Sequence, residues 1–301
     1  MPEEKRPPVC DYEGSDYQTR FWEKGGREYE DRCEAIALRR LLPGQGDLLL
    51  ELGAGAGRNT LRYSGYKRIV LLDYSRTQLK QAQERLGFAE RYIFVAADIY
   101  RLPFRDGLFD AATMIRVLHH MANAPAALSQ VRNILKPGGI FILEYANKKN
   151  LKAISRYLFG HQQWNPFTLE PVEFAPLNFD FHPKAIHNWL SGIGFCEERV
   201  LTVSHFRVNA VKRLIPTGIL ASLDSIFQWT GALYKLTPSI FVRAKALGEK
   251  PQIEIPGDTA SFFKCPECNH FPLISSQEKL SCPSCKKEWQ IVDGIYDFRG
   301  E

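Results

Sequence analysis

The sequence predicts an α/β fold built on a largely parallel sheet, followed by a small four-cysteine unit. Three observations carry this. Short, nearly continuous apolar runs alternate with helical patterns between residues 47 and 146, as strands covered on both faces require. The first run ends in a glycine-rich turn. Two C-x-x-C pairs stand near the C-terminus.

The chain has 301 residues, 45% of them hydrophobic and 24% charged. A core can form without disulfides, and the length allows two domains. The formal net charge of +5 is mildly basic; it is compatible with nucleic acid, an anionic surface or an acidic small molecule and selects none of them. Seven cysteines in this length are too sparse for a secreted disulfide scaffold. The opening MPEEKRPPVC lacks the apolar run of a signal peptide. No stretch of about 18 uncharged apolar residues is present, so the expectation is a cytoplasmic protein without a transmembrane segment.

Taken in order, residues 1–11 are rich in Pro and charge and read as disordered. Residues 15–40 read as helix, opened by Tyr17, Phe21 and Trp22 and stopped by Pro43 and Gly44. Asp47–Leu52, Arg68–Asp73, Tyr92–Ala96, Asp110–Ile115 and Gly139–Tyr145 read as five strands. Helices are expected over Thr77–Leu86, with Ser75 as N-cap, and over Ala124–Leu135, closed by Lys136-Pro137-Gly138-Gly139. Residues 147–182 are rich in aromatics and prolines without a clear period. His182–Ile193 reads as a helix, and Phe195–Ser204 with Pro238–Ala246 as a final strand pair. Between these strands, Ile219, Leu220, Leu223, Ile226, Phe227, Thr230, Leu233 and Tyr234 recur at helical spacing. Core packing or a lid accounts for such a stripe; nearby Lys212, Arg213 and Lys235 also suit contact with a membrane surface. The expected division is an N-terminal helical cover (1–46), a main domain (47–247) with cap insertions near 147–182 and 205–237, a linker (248–260) and a C-terminal unit (261–301).

The turn Glu51-Leu52-Gly53-Ala54-Gly55-Ala56-Gly57 follows a strand and is expected to precede a helix. Glycines there permit positive φ and close backbone approach to a ligand, and a helix start offers free N–H groups. A dinucleotide fingerprint would place a glycine where Arg58 stands, which disfavours NAD. Asp73 ends the second strand, 18 residues after Gly55, where a carboxylate accepts from ribose hydroxyls. Asp98 follows the third strand in Ala97-Asp98-Ile99, at a rim where it can accept from an adenine amino group.

This set resembles the class I S-adenosylmethionine (SAM)-dependent methyltransferases, in particular the type 11-like branch. Glu51–Gly57, Leu71-Leu72-Asp73-Tyr74-Ser75, Ala97-Asp98-Ile99 with Leu102-Pro103-Phe104, Phe109-Asp110, Val117-Leu118-His119-His120 and Leu135–Gly139 carry the resemblance. It implies a Rossmann-like seven-stranded methyltransferase sheet, mostly parallel with an antiparallel last strand. It further implies that Glu51, Gly53, Ala54, Gly55 and Gly57 serve the methionine end of SAM. Asp73 and Tyr74 would serve the ribose, Asp98 and Ile99 the adenine, and Ile115 and Arg116 the methionine border. Tyr17, Phe21 and Trp22 are candidates for an aromatic cover. The sulfonium is already an activated donor, so a general base is needed only for an acceptor that must lose a proton. His119, His120 and Tyr145, at carboxyl ends of strands, are candidates. No N-P-P-Y-type tetrapeptide follows the fourth strand, which argues against exocyclic amines and amides as acceptors.

Cys265, Cys268, Cys282 and Cys285 form two knuckles separated by thirteen residues, the donor set of a closed, structural tetrahedral zinc site. The tail from Lys264 to Tyr296 resembles the Trm112-like zinc ribbon, a family whose free-standing members bind and stabilise methyltransferases; Tyr296 stands where that family has Pro. The expected activity is methyl transfer to a small or lipid-like acceptor. A tRNA or protein methyltransferase with the ribbon aiding docking, and a non-catalytic SAM-binding subunit, are the alternatives. Nucleic-acid binding is compatible with the tail but not indicated by its mixed charges.

Overall fold

In the computed structural model, residues 7–15, 22, 25–249 and 254–300 are described. In chain order the regular elements are α1 (Glu28–Leu41), β1 (Gly46–Leu52), β2 (Tyr66–Asp73), α2 (Arg76–Leu86), β3 (Tyr92–Ala96), β4 (Phe109–Met114), α3 (Ala124–Ile134) and β5 (Leu135–Ala146). There follow α4 (Leu151–Leu158), β6 (Val172–Ala175), β7 (Asn178–Asp180), α5 (Pro183–Gly192), β8 (Phe195–Val203), α6 (Asn209–Leu214), α7 (Thr217–Phe227) and β9 (Ser239–Ala246). The tail contributes β10 (Ile274–Ser275), β11 (Lys279–Ser281), β12 (Glu288–Val292) and β13 (Ile295–Asp297).

The main sheet runs β3-β2-β1-β4-β5-β9-β8. The first five strands are parallel, and β9 is antiparallel to both β5 and β8. This is the Rossmann-like methyltransferase sheet. Alternation along β1 shows why it is central: Leu48, Leu50 and Leu52 enter the core on one face, and Leu49 enters the core on the other. The first face packs against α3, α5 and the tail, the second against α1, α2 and α7. On α1, Tyr29, Cys33, Ala37 and Leu41 recur every four residues and are buried, one apolar stripe. Ser75 caps α2 as its sequence suggests, accepting from the Gln78 N–H at 3.2 Å.

Several elements differ from expectation. The helix expected over 15–40 starts only at Glu28, after a turn at Gly25-Gly26; Tyr17 and Phe21 lie outside the described residues. No α-helix follows the glycine turn. Only one 3-10 turn, Thr60–Tyr63, fits before β2 begins at Tyr66. After β3 there is again only a 3-10 turn, Ile99–Arg101, because Pro103 and Gly107 break the connection. The expected turn Lys136–Gly139 is absorbed into β5, with a register shift against β4 between Phe109 and Ala111. The stripe at 219–234 splits into α7 and a 3-10 segment, Gln228–Ala232.

The tail does not stand apart from this sheet. β13 pairs in parallel with β3, and β12, β11 and β10 follow as a meander, extending the sheet to eleven strands. Where a covering helix would follow β3, the tail lays its aromatics instead. Phe262 and Phe263 are fully buried, and the Phe263 ring lies 5.7, 4.8 and 4.9 Å from those of Phe104, Tyr296 and Phe298. Backbone bonds from Arg105 N–H to the Phe262 carbonyl and from Lys264 N–H to the Pro103 carbonyl, both 2.9 Å, stitch the two segments together.

Candidate functional site

The chain reverses after β1 through Gly53, Gly55 and Gly57, at φ of 64°, 53° and 71°. At Gly53 a Cβ would sit 2.2 Å from Val117 Cγ2, whereas at Gly55 the nearest atom, Gln78 Oε1, is 3.8 Å away. Gly53 is thus required by packing, and Gly55 faces open space. Asp73, at the end of β2, receives the Gly55 N–H on Oδ2 at 2.8 Å and the Ser75 N–H on Oδ1 at 2.9 Å. Asp98 receives the Tyr100 N–H at 2.9 Å and starts the 3-10 turn after β3. Adjacent parallel strands carry both carboxylates to one cleft. Gly53, Gly55, Asp73, Tyr74, Asp98, Ile99, Arg116 and His120 line it. Glu51, Ala54, Gly57 and Ile115 are near but do not line it.

The cleft's cover comes from a segment whose composition reads as disordered. Val9, Cys10 and Tyr12 close over it. Glu13 anchors this strap by accepting the Arg76 and Thr77 N–H groups, at 2.9 and 3.1 Å, at the start of α2. The Gly14 N–H bonds Thr77 Oγ1 at 3.1 Å, and Gln78 Nε2 donates to the Ser15 carbonyl at 2.9 Å. A carboxylate at a helix start also meets the favourable end of the helix dipole. Trp22 does not line the cleft itself but packs beside it, its ring centroid 3.5 Å from the Arg58 guanidinium carbon and 4.9 Å from that of Arg116.

Electrostatics differ among the acids. Enclosure pushes the Asp73 carboxyl up to about 6, against the Ser75 and Gly55 N–H groups that lower it; Asp11 nearby adds to the rise. Enclosure likewise takes Glu51 up to about 7, though Thr60 Oγ1 donates to it at 2.6 Å. Glu34 behaves oppositely. Its complete burial would raise it, but the Arg116 and Arg58 guanidiniums, at 2.5 and 2.8 Å, hold it below the ordinary carboxylate range. Arg116 itself sits at φ 59°, a costly conformation for a non-glycine residue. It is fixed there by its N–H to Glu144 Oε2 at 2.9 Å and by the Glu34 pair.

His120 Nδ1 is 2.9 Å from the Leu177 carbonyl oxygen, and its Nε2 is 3.2 Å from the phenolic oxygen of Tyr12. A carbonyl only accepts, so Nδ1 carries the proton and Nε2 accepts from Tyr12 when the ring is neutral. Burial lowers the His120 pKa and favours that neutral form. The His119 ring lies 4.0 Å from that of His120, tilted by 44°, and its pKa is depressed further by burial, with His120 and Arg116 adding to the effect. Tyr145 is 1% exposed within the core and does not line the cleft. Sequence reasoning missed the strap, Gln78, Val117, Met121 and the Glu34 pairing; the last had a faint signal in the acids of α1 preceding Arg58.

In the tail, the Sγ atoms of Cys265, Cys268, Cys282 and Cys285 all lie within 4.8 Å of one another. The pairs Cys265–Cys285 and Cys268–Cys282 are 3.6 and 3.5 Å apart. A tetrahedral zinc with bonds of about 2.3 Å needs sulfur separations of about 3.8 Å, so donor chemistry and spacing fit. Ion pairs fasten this unit to the sheet, Arg101–Glu267 at 2.7 Å and Lys80–Asp293 at 2.8 Å among them. At the far end, Arg299, gripped by Asp297, reaches Glu13 Oε2 at 3.3 Å and the Tyr74 carbonyl at 3.4 Å.

Residues 50–143 match the family described as the methyltransferase domain. The chain therefore carries a methyltransferase domain on a class I SAM-dependent methyltransferase fold. Among curated relatives it is 28% identical over 153 residues to the O-methyltransferase cnsE of Penicillium expansum, covering 47% of this chain and 55% of that protein. It is 34% identical over 126 residues to the ubiquinone/menaquinone biosynthesis C-methyltransferase UbiE of Pseudomonas putida, covering 38% and 49%. The chain thus spans about half the length of the curated relatives it matches. Among solved structures, a chain from the complex of the Haloferax volcanii Trm112 methyltransferase activator with a methyltransferase aligns with a TM-score of 0.55 at 16% identity. That alignment covers 77% of this chain and 96% of that one; at such identity the likeness is one of fold.

Proposed function

We propose that this chain is a SAM-dependent methyltransferase acting on a small or lipid-like acceptor. The observation that carries the reading is the meeting of Asp73, Asp98 and the Gly53–Gly55 backbone in one covered cleft. Bound there, SAM supplies an activated methyl group on a sulfonium. Asp73 holds the ribose hydroxyls, and Asp98 with Ile99 borders the adenine. The Gly53–Gly57 backbone accommodates the methionine end, supported by Glu51 behind the turn and by Ile115 and Arg116 beside it. The Val9–Tyr12 strap excludes water, which strengthens every polar contact inside. His120, neutral and fixed by Leu177 and Tyr12, orders the acceptor side. For an acceptor that must lose a proton, its Nε2 is a group able to receive one through the Tyr12 hydroxyl that donates to it.

The main unit is taken as 47–247 with caps near 147–182 and 205–237, the N-terminal cover as 1–46, the linker as 248–260 and the ribbon as 261–301. The four thiolates hold a structural zinc with no open position, and the ribbon acts in cis as a sheet-edge stabiliser. The support is its pairing with β3 and its aromatic layer on Phe104. Calorimetric titration with SAM and its demethylated product tests the cofactor; no binding of either sinks the reading. Incubating the enzyme with methyl-labelled SAM and cell extract tests the acceptor class. Label in the organic-soluble fraction is expected, and label confined to RNA or protein overturns the small-acceptor assignment.

A further inference from the structure

The cap region carries an apolar surface that the methyltransferase reading does not use. Of the 21 large hydrophobic residues exposed among the described residues, 16 lie between 151 and 236. On α7, Ile219, Leu223 and Ile226, at i, i+4 and i+7, are 54, 37 and 67% exposed, while Leu220, Ala221 and Asp224 point into the core. The stripe that sequence periodicity assigns to core packing or a lid thus turns largely outward, and Leu233 beyond it is 79% exposed. On α4, Leu151 and Leu158 share one face with Lys152 and Arg156 beside them, and all four are exposed. The start of α4 adjoins the segment that follows α7, since the Leu151 N–H bonds the Leu236 carbonyl at 2.8 Å.

Charge selects the occupant. Residues 205–236 contain one carboxylate, Asp224, and it is buried against Tyr29 and His205. The groove flanking Leu233–Leu236 is lined by Lys149, Lys184 and Lys235, and its one acid, Glu197, is bonded to His187 at 3.0 Å. An apolar face with a basic margin and no exposed carboxylate in its main segment matches an anionic bilayer. A second copy of this chain would bring like charge against like. We propose that the α4–α7 face is a peripheral docking surface for anionic phospholipid membranes.

The test is sedimentation of the full chain with vesicles of phosphatidylcholine alone and of phosphatidylcholine with about a quarter phosphatidylglycerol. Binding to the anionic vesicles, weakened by salt and lost about tenfold or more in Ile226→Asp/Leu233→Asp, is expected. Lys149→Glu/Lys184→Glu leaves the apolar face intact and is expected to weaken binding as well; it serves if the aspartate variant melts early. No sedimentation with anionic vesicles, or sedimentation of both variants equal to that of the wild type, overturns the proposal. So does a wild-type dimer in sedimentation velocity that the aspartate variant abolishes without any vesicle binding, which would make this face a self-interface.

Discussion

If Asp73 holds SAM as proposed, its raised pKa should make SAM affinity depend on pH. In the free protein its carboxyl is pushed up to about 6, with Asp11 and Cys10 as its titratable neighbours in the strap. Ribose hydroxyls donate to the ionised form, so binding lowers this pKa and releases a proton. The sign follows: affinity is level above about pH 6 and falls as pH drops through it. By pH 5 roughly a tenth of the sites are ionised, so Kd should rise about tenfold, ~1.4 kcal/mol. Asp73→Asn removes the slope. At pH 7.5 it also weakens binding about a hundredfold, the value of one or two charge-assisted hydrogen bonds at ~1.5–3 kcal/mol each. The assay is isothermal titration across pH 5–8, with buffers of different ionisation enthalpy to count the released proton. Glu51, held up at about 7 by burial, is the competing source, and Glu51→Gln is the control. A flat wild-type profile refutes the reasoning. So does a slope that persists in Asp73→Asn and disappears in Glu51→Gln.

The two inner glycines should separate folding from binding. Gly53→Ala places a methyl 2.2 Å from Val117 at φ 64° and should cost about 2–4 kcal/mol in thermal or urea unfolding. Gly55→Arg points into the cleft and should melt within about 1–2 kcal/mol of wild type while losing SAM binding; retained affinity contradicts the site. Phe263→Ala empties the fully buried centre of the tail's aromatic layer and should cost about 3–5 kcal/mol, with early proteolysis between residues 248 and 260 as the readout. Cys268→Ser should lower zinc content, measured by elemental analysis, and loosen the same segment, since metal binding and folding are coupled; full occupancy with unchanged stability rules out the four-thiolate site.

What could be read from the chain, and what could not, divides along physical lines. The strands β1 to β5 announce themselves because both faces of each are buried, leaving no polar residue in runs such as Ile69–Leu72. Each of Asp73 and Asp98 alone reads equally as a loop or cap residue, and each does accept a nearby backbone N–H; they are legible as a set, at two successive strand ends beside the glycine turn. The strap is not, because Val9, Cys10 and Tyr12 sit among Pro and charge, and their order depends on Glu13 finding the start of α2, a contact 63 residues away. The missing helix after the glycine turn was readable in principle: six residues between Asn59 and Tyr66 cannot make two α-turns. The αL backbone of Arg116 gave no sign, since a glycine would ordinarily mark it. Helical periodicity in 219–234 located an amphipathic segment, yet the same period describes an apolar stripe facing inward or outward. Only the packing of Leu220 and Ala221 shows which.

The place of the four-cysteine tail follows from what the main sheet lacks. β3 lies at the end of the seven strands, and its five residues are apolar throughout; such an edge would present unpaired N–H and C=O groups and invite association. The connection after it forms no helix, so Phe104 and Leu102 would be bare on one face. The tail answers both needs at once: β13 pairs with β3, the Phe298 N–H bonds the Ala96 carbonyl at 2.7 Å, and Phe263 covers Phe104. A strand of three residues cannot hold that place alone, because ordering it costs more than its few hydrogen bonds return. It must be presented by a unit folded on its own account, which is what a metal held by the four thiolates, as proposed, would supply in about 40 residues. The tail's last residues then touch the strap over the cleft through Arg299, Glu13 and Tyr74. Loss of the metal should therefore reach the cleft from the β3 edge inward, through Asp98 at the end of that strand and Glu13 above it, before the distant β5–β9–β8 side is disturbed.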